Sequence, residues 1–266
     1  MSVGAGSHLD PARYDLWYER PFGKHAHEFE LKAILEAMGE LHSKLVLEVG
    51  CGTGRFTMPV SETECQLVAI DSSRDMIRFA RHRADSGHHD VDFVIADAEH
   101  MPFSPCVFDV AFSVTVLCVA EDARRIATET LRVTKSEGTI VSGELNRHSI
   151  HYLDKRLRDK IEGLQARDIR FFTPRELSAL WRSPDWKTFL FASDSCPKPI
   201  LSALRKLEPI LMKGFASSGL FVVVRTKLPA EDRGHLSERA EEISREAGMR
   251  RGIAPTKGRI VEELIA

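Results

Sequence analysis

A glycine-rich turn after a short apolar segment constrains the fold of this chain more than any other feature. The segment Leu45–Val49 is followed by Gly50, Gly52 and Gly54 at alternate positions. Glycine adopts backbone conformations that other residues avoid, and it lets a ligand come close to the backbone. The pattern predicts a strand, a sharp turn and a helix that begins near Thr53. Amide groups at the start of such a helix favour anionic ligand groups.

Apolar segments alternate with helical segments from Lys44 to Val141. This alternation is typical of βαβ units, in which helices cover both faces of a parallel sheet. The predicted strands are Leu45–Val49, Leu67–Ile70, Val91–Ala96, Val107–Val114 and Thr139–Val141, and the predicted helices include Arg74–Ala84 and Asp122–Val133.

Further elements are predicted on both sides of this core. A covering helix is expected over Phe22–Met38, and Thr173-Pro174 followed by Glu176 is a capping signal for a helix to about Trp181. The other predicted elements are helices over Ser149–Ile161 and Pro199–Lys213 and strands over Trp186–Ala192 and Leu220–Arg225, the two strands forming an antiparallel edge pair. Apolar residues of the Pro199–Lys213 helix either line an apolar substrate pocket or pack under the sheet; they are Ile200, Leu204, Leu207, Ile210 and Leu211.

Composition excludes several classes of protein. The 266 residues carry 37 Lys+Arg against 39 Asp+Glu, so bulk positive charge for nucleic acid is lacking. Apolar runs are too short for a membrane span, and the N-terminal residues have no signal-peptide pattern. The chain has five cysteines, which is an odd number, and no two of them have C-x-x-C spacing. Both observations disfavour a disulfide framework and a zinc site. We therefore expect a cytoplasmic protein without a metal.

An acidic residue ends the second predicted strand, at Asp71. Such a carboxylate can accept hydrogen bonds from both ribose hydroxyls of an adenosine ligand, whether NAD or S-adenosylmethionine. The alternative is that Asp71 caps the helix that follows. The dinucleotide fingerprint G-x-G-x-x-G is missed, because its third glycine would stand at Arg55.

Three more segments complete a pattern that can be compared with a known family: Phe93–Phe103 with its strand ending at Asp97-Ala98, Phe108–Ser113, and Leu131–Gly138. With the glycine turn and Asp71, they resemble the class I S-adenosylmethionine-dependent methyltransferases, in the broad group that includes the ubiquinone/menaquinone C-methyltransferases. The resemblance covers Lys44–Glu144 by motif and extends to Arg225 by architecture. Ser136-Glu137-Gly138 departs from the family's usual Pro-Gly-Gly turn.

The resemblance implies an α/β fold, a Rossmann-like doubly wound sheet of seven strands that is mostly parallel with an antiparallel last strand and has helices on both faces. It also implies S-adenosylmethionine as cofactor. The residues that would contact it are Glu48, Gly50, Cys51, Gly52, Gly54, Asp71, Ser72, Met76, Asp97, Ala98 and Ser113.

The family places particular roles on these residues. Glu48 would fix the glycine loop and the methionine ammonium group. Asp71 would hold the ribose hydroxyls, and Asp97 would accept a hydrogen bond from the adenine amino group. Met76 would pack on the adenine, or it is simply a core residue of its helix. Ser113 would border the methionine end and the acceptor.

The N-terminal segment resembles the family's lid region, through Tyr14 and Trp17. Either these rings close over the cofactor or Trp17 packs the first helix on the core together with Phe22. Methyl transfer is an in-line displacement that depends on alignment, so a dedicated nucleophile is not required. Weak candidates for a general base are His25, His27, Glu144 and His148, each more readily explained by a non-catalytic role.

The sequence thus predicts three segments, an N-terminal helical cover at 1–42, a methyltransferase domain at 43–228 and a charged helical tail at 229–266. The predicted function is methyl transfer from S-adenosylmethionine to a small-molecule acceptor, quinone-like or otherwise apolar. One alternative is a catalytically silent cofactor-binding protein with the same fold. A less favoured alternative is an NAD-dependent oxidoreductase.

Overall fold

A computed structural model describes residues 10–161, 169–181 and 184–230. Within these ranges the chain forms eight helices and seven strands. In chain order the elements are α1 (Pro11–Glu19), α2 (Pro21–Met38), β1 (Leu45–Val49), α3 (Thr57–Ser61), β2 (Gln66–Asp71), α4 (Arg74–Gly87), β3 (Asp92–Ile95), β4 (Phe108–Val114), α5 (Ala123–Val133), β5 (Thr134–Leu145), α6 (Ile150–Ile161), α7 (Pro174–Ser178), β6 (Asp185–Phe189), α8 (Lys198–Gly214) and β7 (Phe221–Lys227).

The seven strands form one sheet in the order β3-β2-β1-β4-β5-β7-β6. β1 pairs in parallel with β2, and β2 pairs in parallel with β3. β6 and β7 are antiparallel. The predicted Rossmann-like fold class is confirmed.

The chain divides into two compact units. Counting only the described residues, unit 1 comprises 10–39, 113–123 and the described part of 141–226, and unit 2 comprises 40–112, 124–140 and 227–230. The division into three segments at 42 and 228 stays a prediction. The predicted tail helix over Asp232–Gly248 lies outside the described residues.

Unit 2 contains β1, β2 and β3 with α4 packed against them. The side chain of Ser73 caps α4 by accepting a hydrogen bond from the Met76 amide, and Ile77 and Ala80 are buried on the helix face. Burying an isoleucine side chain such as that of Ile77 contributes about 1.5–3 kcal/mol. In the parallel register Val49 lies opposite Ile70, so the glycine turn and Asp71 emerge side by side at one edge of the sheet.

Unit 1 contains the two N-terminal helices and the β6–β7 pair. Phe22 and Ala26 of α2 pack in one apolar cluster with Leu190 and Leu220, and Trp17 packs against this cluster. For Trp17 the structure thus favours the packing alternative. The capping box predicted for α7 is confirmed, since the Thr173 amide donates to Glu176 (2.8 Å) and the Glu176 amide donates to Thr173 (3.1 Å).

Several predicted boundaries are wrong. The helix after the glycine turn begins at Thr57 instead of Thr53, because the residues between them form turns around the positive-φ glycines. The strand predicted over Thr139–Val141 is the centre of the longer β5, and the predicted Ser136–Gly138 turn lies inside it, with Glu137 at φ 61°. α7 ends at Ser178, before Trp181.

The apolar face of α8 is also placed differently from expectation. Leu201 is buried, whereas Ile200, Leu207 and Ile210 are 52%, 46% and 65% exposed. The buried face of α8 includes Glu208, whose carboxylate accepts a hydrogen bond from the Leu190 amide. These three side chains therefore do not provide the apolar pocket or the packing that we expected from the sequence.

Among the helices in the described ranges, none combines the length and the apolar character that crossing a bilayer requires.

Candidate functional site

The glycine turn of unit 2 has the backbone geometry that its sequence predicts. Gly50, Gly52 and Gly54 have φ values of 71°, 53° and 80°, a region that side chains disfavour. A Cβ atom at Gly54 would lie 2.9 Å from Met58 Cε, so the turn also packs closely on α3. A Cβ at Gly52 would meet nothing within 4 Å, so the backbone at this position faces open space.

Asp71 connects the end of β2 to this turn. Its Oδ2 atom accepts a hydrogen bond from the Gly52 amide (2.9 Å), and its Oδ1 atom accepts one from the Ser73 amide (2.8 Å). Burial raises the pKa of Asp71, although the two amide bonds oppose the rise. The alternative in which Asp71 caps α4 is wrong, because the side chain of Ser73 fills that role.

Glu48 is buried on β1, at 2% exposure. Thr57, the first residue of α3, donates its hydroxyl to Glu48 Oε2 at 2.6 Å. Burial raises the pKa of Glu48 to about 8, the Thr57 hydrogen bond opposes this, and the nearby charge of Asp71 adds to it. Glu48 therefore joins β1 to the helix that follows the glycine turn, and it holds a proton at neutral pH.

The pKa of Glu48 makes a testable prediction about stability. A carboxyl whose pKa rises from 4.5 in the unfolded chain to about 8 in the folded chain binds its proton more tightly when folded, so stability falls as the pH rises between these values. Glu48→Gln removes this dependence. We subtract the Tm of the unaltered protein from the Tm of the variant at each pH. This difference should be a few degrees larger at pH 8 than at pH 6.

The exposed Glu36 of α2 provides the matched control, because its side chain is 57% exposed. Glu36→Gln should show the same Tm difference from the unaltered protein at both pH values. A Tm difference for Glu48→Gln that stays constant, or that falls with pH, would contradict the raised pKa. Differential scanning fluorimetry without added ligand measures all three proteins.

Arg83 is a residue of this site that sequence reasoning missed. Its guanidinium donates a hydrogen bond to the Thr53 carbonyl oxygen at 2.8 Å. This bond ties the glycine turn to α4. The available signal was helical spacing, since Met76, Ala80 and Arg83 recur on one face of α4. Met76 itself is buried, and Ser72 is exposed.

Cys51 lies between two of the glycines and is buried. Its amide donates to the Ile70 carbonyl (2.9 Å), which completes the connection between β1 and β2. Burial raises the pKa of the thiol well above its ordinary value, and the charges of Glu48 and Asp71 add to this. The thiol therefore stays protonated and is a poor nucleophile.

Asp97 and Ala98 follow β3 in an exposed loop. Asp97 accepts a hydrogen bond from the Glu99 amide (2.9 Å), and its other oxygen lies 3.1 Å from His100 Nδ1. Partial burial raises the pKa of Asp97, but these contacts outweigh it, so the net pKa is lowered. The carboxylate is thus ionised, and its side chain remains 60% exposed.

Unit 1 carries the remaining candidates. Ser113 is buried, and its hydroxyl lies 3.3 Å from that of Ser142. The ring of His25 lies 4.7 Å from that of Phe29, whereas His148 is exposed and follows Asn146 in a turn. A role as general base for His25, His27 or His148 stays a prediction.

Glu144 has a structural contact that explains its position. It is fully buried and accepts hydrogen bonds from the amides of Val116 (3.2 Å), Leu117 (2.9 Å) and Cys118 (3.2 Å). Burial raises its pKa to about 8, which the amide bonds oppose. The contacts favour an anchor for the turn after β4 over the general base considered above.

The comparison with known proteins agrees with this fold. A family model described as a methyltransferase domain matches residues 47–142. A crystal structure from Thermotoga maritima, described as an S-adenosylmethionine-dependent methyltransferase and possible histamine N-methyltransferase, is 26% identical. The match covers 81% of this chain and 94% of the Thermotoga maritima chain, with a TM-score of 0.62.

The relatives that match by sequence include the following two. An uncharacterized protein of Methanocaldococcus jannaschii is 26% identical over 213 residues, which are 79% of this chain and 93% of that protein. A demethylmenaquinone methyltransferase of Renibacterium salmoninarum is 30% identical over 115 residues, 43% of this chain. The match spans 47% of that enzyme, about half of its length.

The strand order and the glycine turn, with Asp71 beside it, define a Rossmann-like methyltransferase fold. Residues 47–142 match the model of a methyltransferase domain, and the fold is similar to that of a solved S-adenosylmethionine-dependent methyltransferase.

Proposed function

We propose that the protein transfers a methyl group from S-adenosylmethionine to a small-molecule acceptor. The observation that carries this proposal is the glycine turn with three positive φ angles, tied through Gly52 to the carboxylate of Asp71. This combination presents bare backbone and an acidic strand end at one edge of the sheet. An adenosine ligand with a flexible polar extension requires both features.

The residues of unit 2 fit this cofactor. Asp71 uses one hydrogen bond on each carboxylate oxygen, and a carboxylate offers about four acceptor positions. Capacity for the two ribose hydroxyls therefore remains. The open space beside Gly52 leaves room for close approach of the methionine part, and the exposed carboxylate of Asp97 is available to the adenine amino group.

The chemistry demands little from the protein beyond alignment. The bound cofactor supplies a methyl group already activated on a sulfonium sulfur. The protein contributes orientation, which is worth about 7–11 kcal/mol when reactants are well placed. Glu48, Asp71 and the glycine turn would hold one reactant, in agreement with a site that lacks a strong nucleophile.

The similar proteins do not agree on an acceptor. One is named a demethylmenaquinone methyltransferase, and another is described as a possible histamine N-methyltransferase. Ile200, Leu207 and Ile210 are exposed, so α8 adds no support for an apolar acceptor, and the quinone-like acceptor stays a prediction from the family resemblance. A small-molecule acceptor remains the proposal.

The test is calorimetric titration of the purified protein with S-adenosylmethionine, S-adenosylhomocysteine and NAD. We expect micromolar binding of the two adenosyl ligands and none of NAD, followed by transfer of labelled methyl in a screen of small acceptors. Binding of NAD alone, or of none of the three, would overturn the proposal. Cofactor binding without transfer to any acceptor would favour the silent cofactor-binding alternative.

A further inference from the structure

Helix α8 of unit 1 presents a row of apolar side chains to solvent, which we call the α8 stripe. Its members follow one another at steps of three and four residues, which places them on one face of the helix: Ile200, Ala203, Leu207 and Ile210. All four are exposed, and so is Phe215, directly after the helix. Apolar side chains scattered singly over a surface need no explanation, but a contiguous row of them marks a surface that another body covers.

A different face of α8 attaches the helix to unit 1. Leu201 is buried in the apolar cluster that contains Leu190, and Leu204 packs against the same cluster. Glu208 is buried as well, and its carboxylate accepts a hydrogen bond from the Leu190 amide. These buried positions also recur at steps of three and four, one residue after the positions of the stripe, and one residue is a rotation of about 100° around the helix. The α8 stripe is therefore not used to hold the helix in place.

The exposed charges of α8 all have one sign. The helix has one acidic residue, Glu208, which is buried, and its basic residues are Lys198, Arg205, Lys206 and Lys213. Lys206 and Lys213 are exposed and stand seven residues apart, so both lie on one side of the helix. By helical spacing they border the α8 stripe on the side away from the buried face. The exposed part of the helix thus combines large apolar side chains with positive charge.

This combination fits an anionic lipid surface better than a second copy of the chain. A two-fold interface places the same patch on both subunits, so it would bring Lys206 and Lys213 near the same lysines of the other copy. A lipid surface instead accepts apolar side chains at the boundary between headgroups and acyl chains, and its phosphates neutralise the lysines. The long lysine stems reach the headgroups while the stripe is buried. The whole chain has a net charge of -2, so the attraction must be local to α8.

We propose that α8 binds along the surface of an anionic membrane, with the α8 stripe at the boundary between headgroups and acyl chains and with Lys206 and Lys213 paired with lipid phosphates. A helix bound in this way is buried to a depth of about 5–10 Å and lies parallel to the surface. The inference goes beyond the proposed function and does not depend on it, because no residue of α8 is among those assigned to the cofactor.

The experiment is co-sedimentation of the full chain with lipid vesicles. One set of vesicles is phosphatidylcholine alone, and the other is an equimolar mixture of phosphatidylcholine and phosphatidylglycerol. We expect the mixed vesicles to bind the protein at least about ten times more tightly. A lysine near an anionic surface strengthens binding about fivefold, so the double variant Lys206→Gln/Lys213→Gln should bind the mixed vesicles about 25-fold more weakly. Absence of binding to the mixed vesicles, or equal binding to the two kinds, would overturn the inference.

Matched variants separate the stripe from general effects of charge and hydrophobicity. Ile210→Gln should weaken binding to the mixed vesicles about tenfold, because this side chain would no longer leave water for lipid, and it should keep the Tm of the unaltered protein. Ile95→Gln removes an exposed apolar side chain of β3, and Lys24→Gln/Lys32→Gln removes two exposed lysines of α2. Both controls should bind vesicles like the unaltered protein. Undiminished binding in the α8 variants, or an equal loss in the controls, would refute the role of α8.

Two further measurements distinguish other outcomes. Sedimentation velocity without vesicles gives the oligomeric state, and a dimer that dissociates in Ile210→Gln and binds no vesicles would show that a second copy covers the stripe, which refutes the lipid surface. A monomer that binds no vesicles refutes it as well and leaves a protein partner. Calorimetry with S-adenosylhomocysteine should give the same affinity for the α8 variants and the unaltered protein. If this ligand binds none of them, the proposed function fails, whereas the vesicle result decides the membrane inference separately.

Discussion

Replacing Asp71 with alanine should weaken the binding of S-adenosylmethionine by about 100-fold. Hydrogen bonds to a charged group contribute about 1.5–3 kcal/mol each, and the ribose would lose two of them, a total of at least about 3 kcal/mol. The variant also releases the amides of Gly52 and Ser73, which now bond to the two carboxylate oxygens. Both effects act in the same direction, and calorimetry at constant ionic strength measures their sum.

Two variants make the result specific. Asp71→Asn keeps one carbonyl oxygen and the size of the side chain, so its affinity should fall between those of the other two proteins. Asp75→Ala removes a carboxylate that is 70% exposed in the first turn of α4 and paired with Arg78, and it should bind like the unaltered protein. A change of less than threefold in Asp71→Ala would refute a ribose-binding role for this residue.

Replacing Gly219 with alanine should lower the free energy of unfolding by about 3 kcal/mol, at the upper end of the range for overpacked sites. The new Cβ would lie 2.5 Å from the carbonyl oxygen and 2.6 Å from the amide nitrogen of Phe189. Because these are backbone atoms, no side-chain rotation can relieve the clash. The Gly219 amide also donates to Thr188 (3.2 Å), and its carbonyl accepts from Asn146 (2.7 Å).

The measurement is the urea midpoint or the Tm, which should fall by roughly 6–12 °C for about 3 kcal/mol in a chain of this size. Gly214 is the matched control, since a Cβ there meets nothing within 4 Å. Gly214→Ala should leave the Tm unchanged or raise it slightly, because alanine restricts the unfolded chain. Equal Tm values for the two variants would contradict the close approach at Gly219.

The βαβ core could be predicted from the sequence because its signals are local. β1 was predicted at Leu45–Val49, and α4 was predicted to begin at Arg74, as observed. Apolar runs, glycine positions and capping residues act within a few neighbours, so periodicity captures them. The same holds for the Thr173–Glu176 capping box, where both partners lie within one helical turn.

Elements whose orientation depends on distant partners were predicted less well. α8 is amphipathic in sequence, yet its buried face includes Glu208, which meets the Leu190 amide from another part of the chain. Glu144 was considered as a base because it follows the predicted Thr139–Val141 strand, although it lies within the longer β5 of the structure. Its role as an anchor appears only when the turn at Val116–Cys118 brings three amides to it.

The sequence by itself determined the order of strands and helices, the left-handed glycine turn and the acidic residue at the end of β2. Each follows from preferences of single residues and their near neighbours. Only the tertiary structure decided that Asp71 bonds to the turn rather than capping α4. It also decided that Glu30 is buried with one oxygen that has no hydrogen-bond partner in the described part of the chain. Burial and pKa are properties of the assembled surroundings, and charges far apart in sequence create them together.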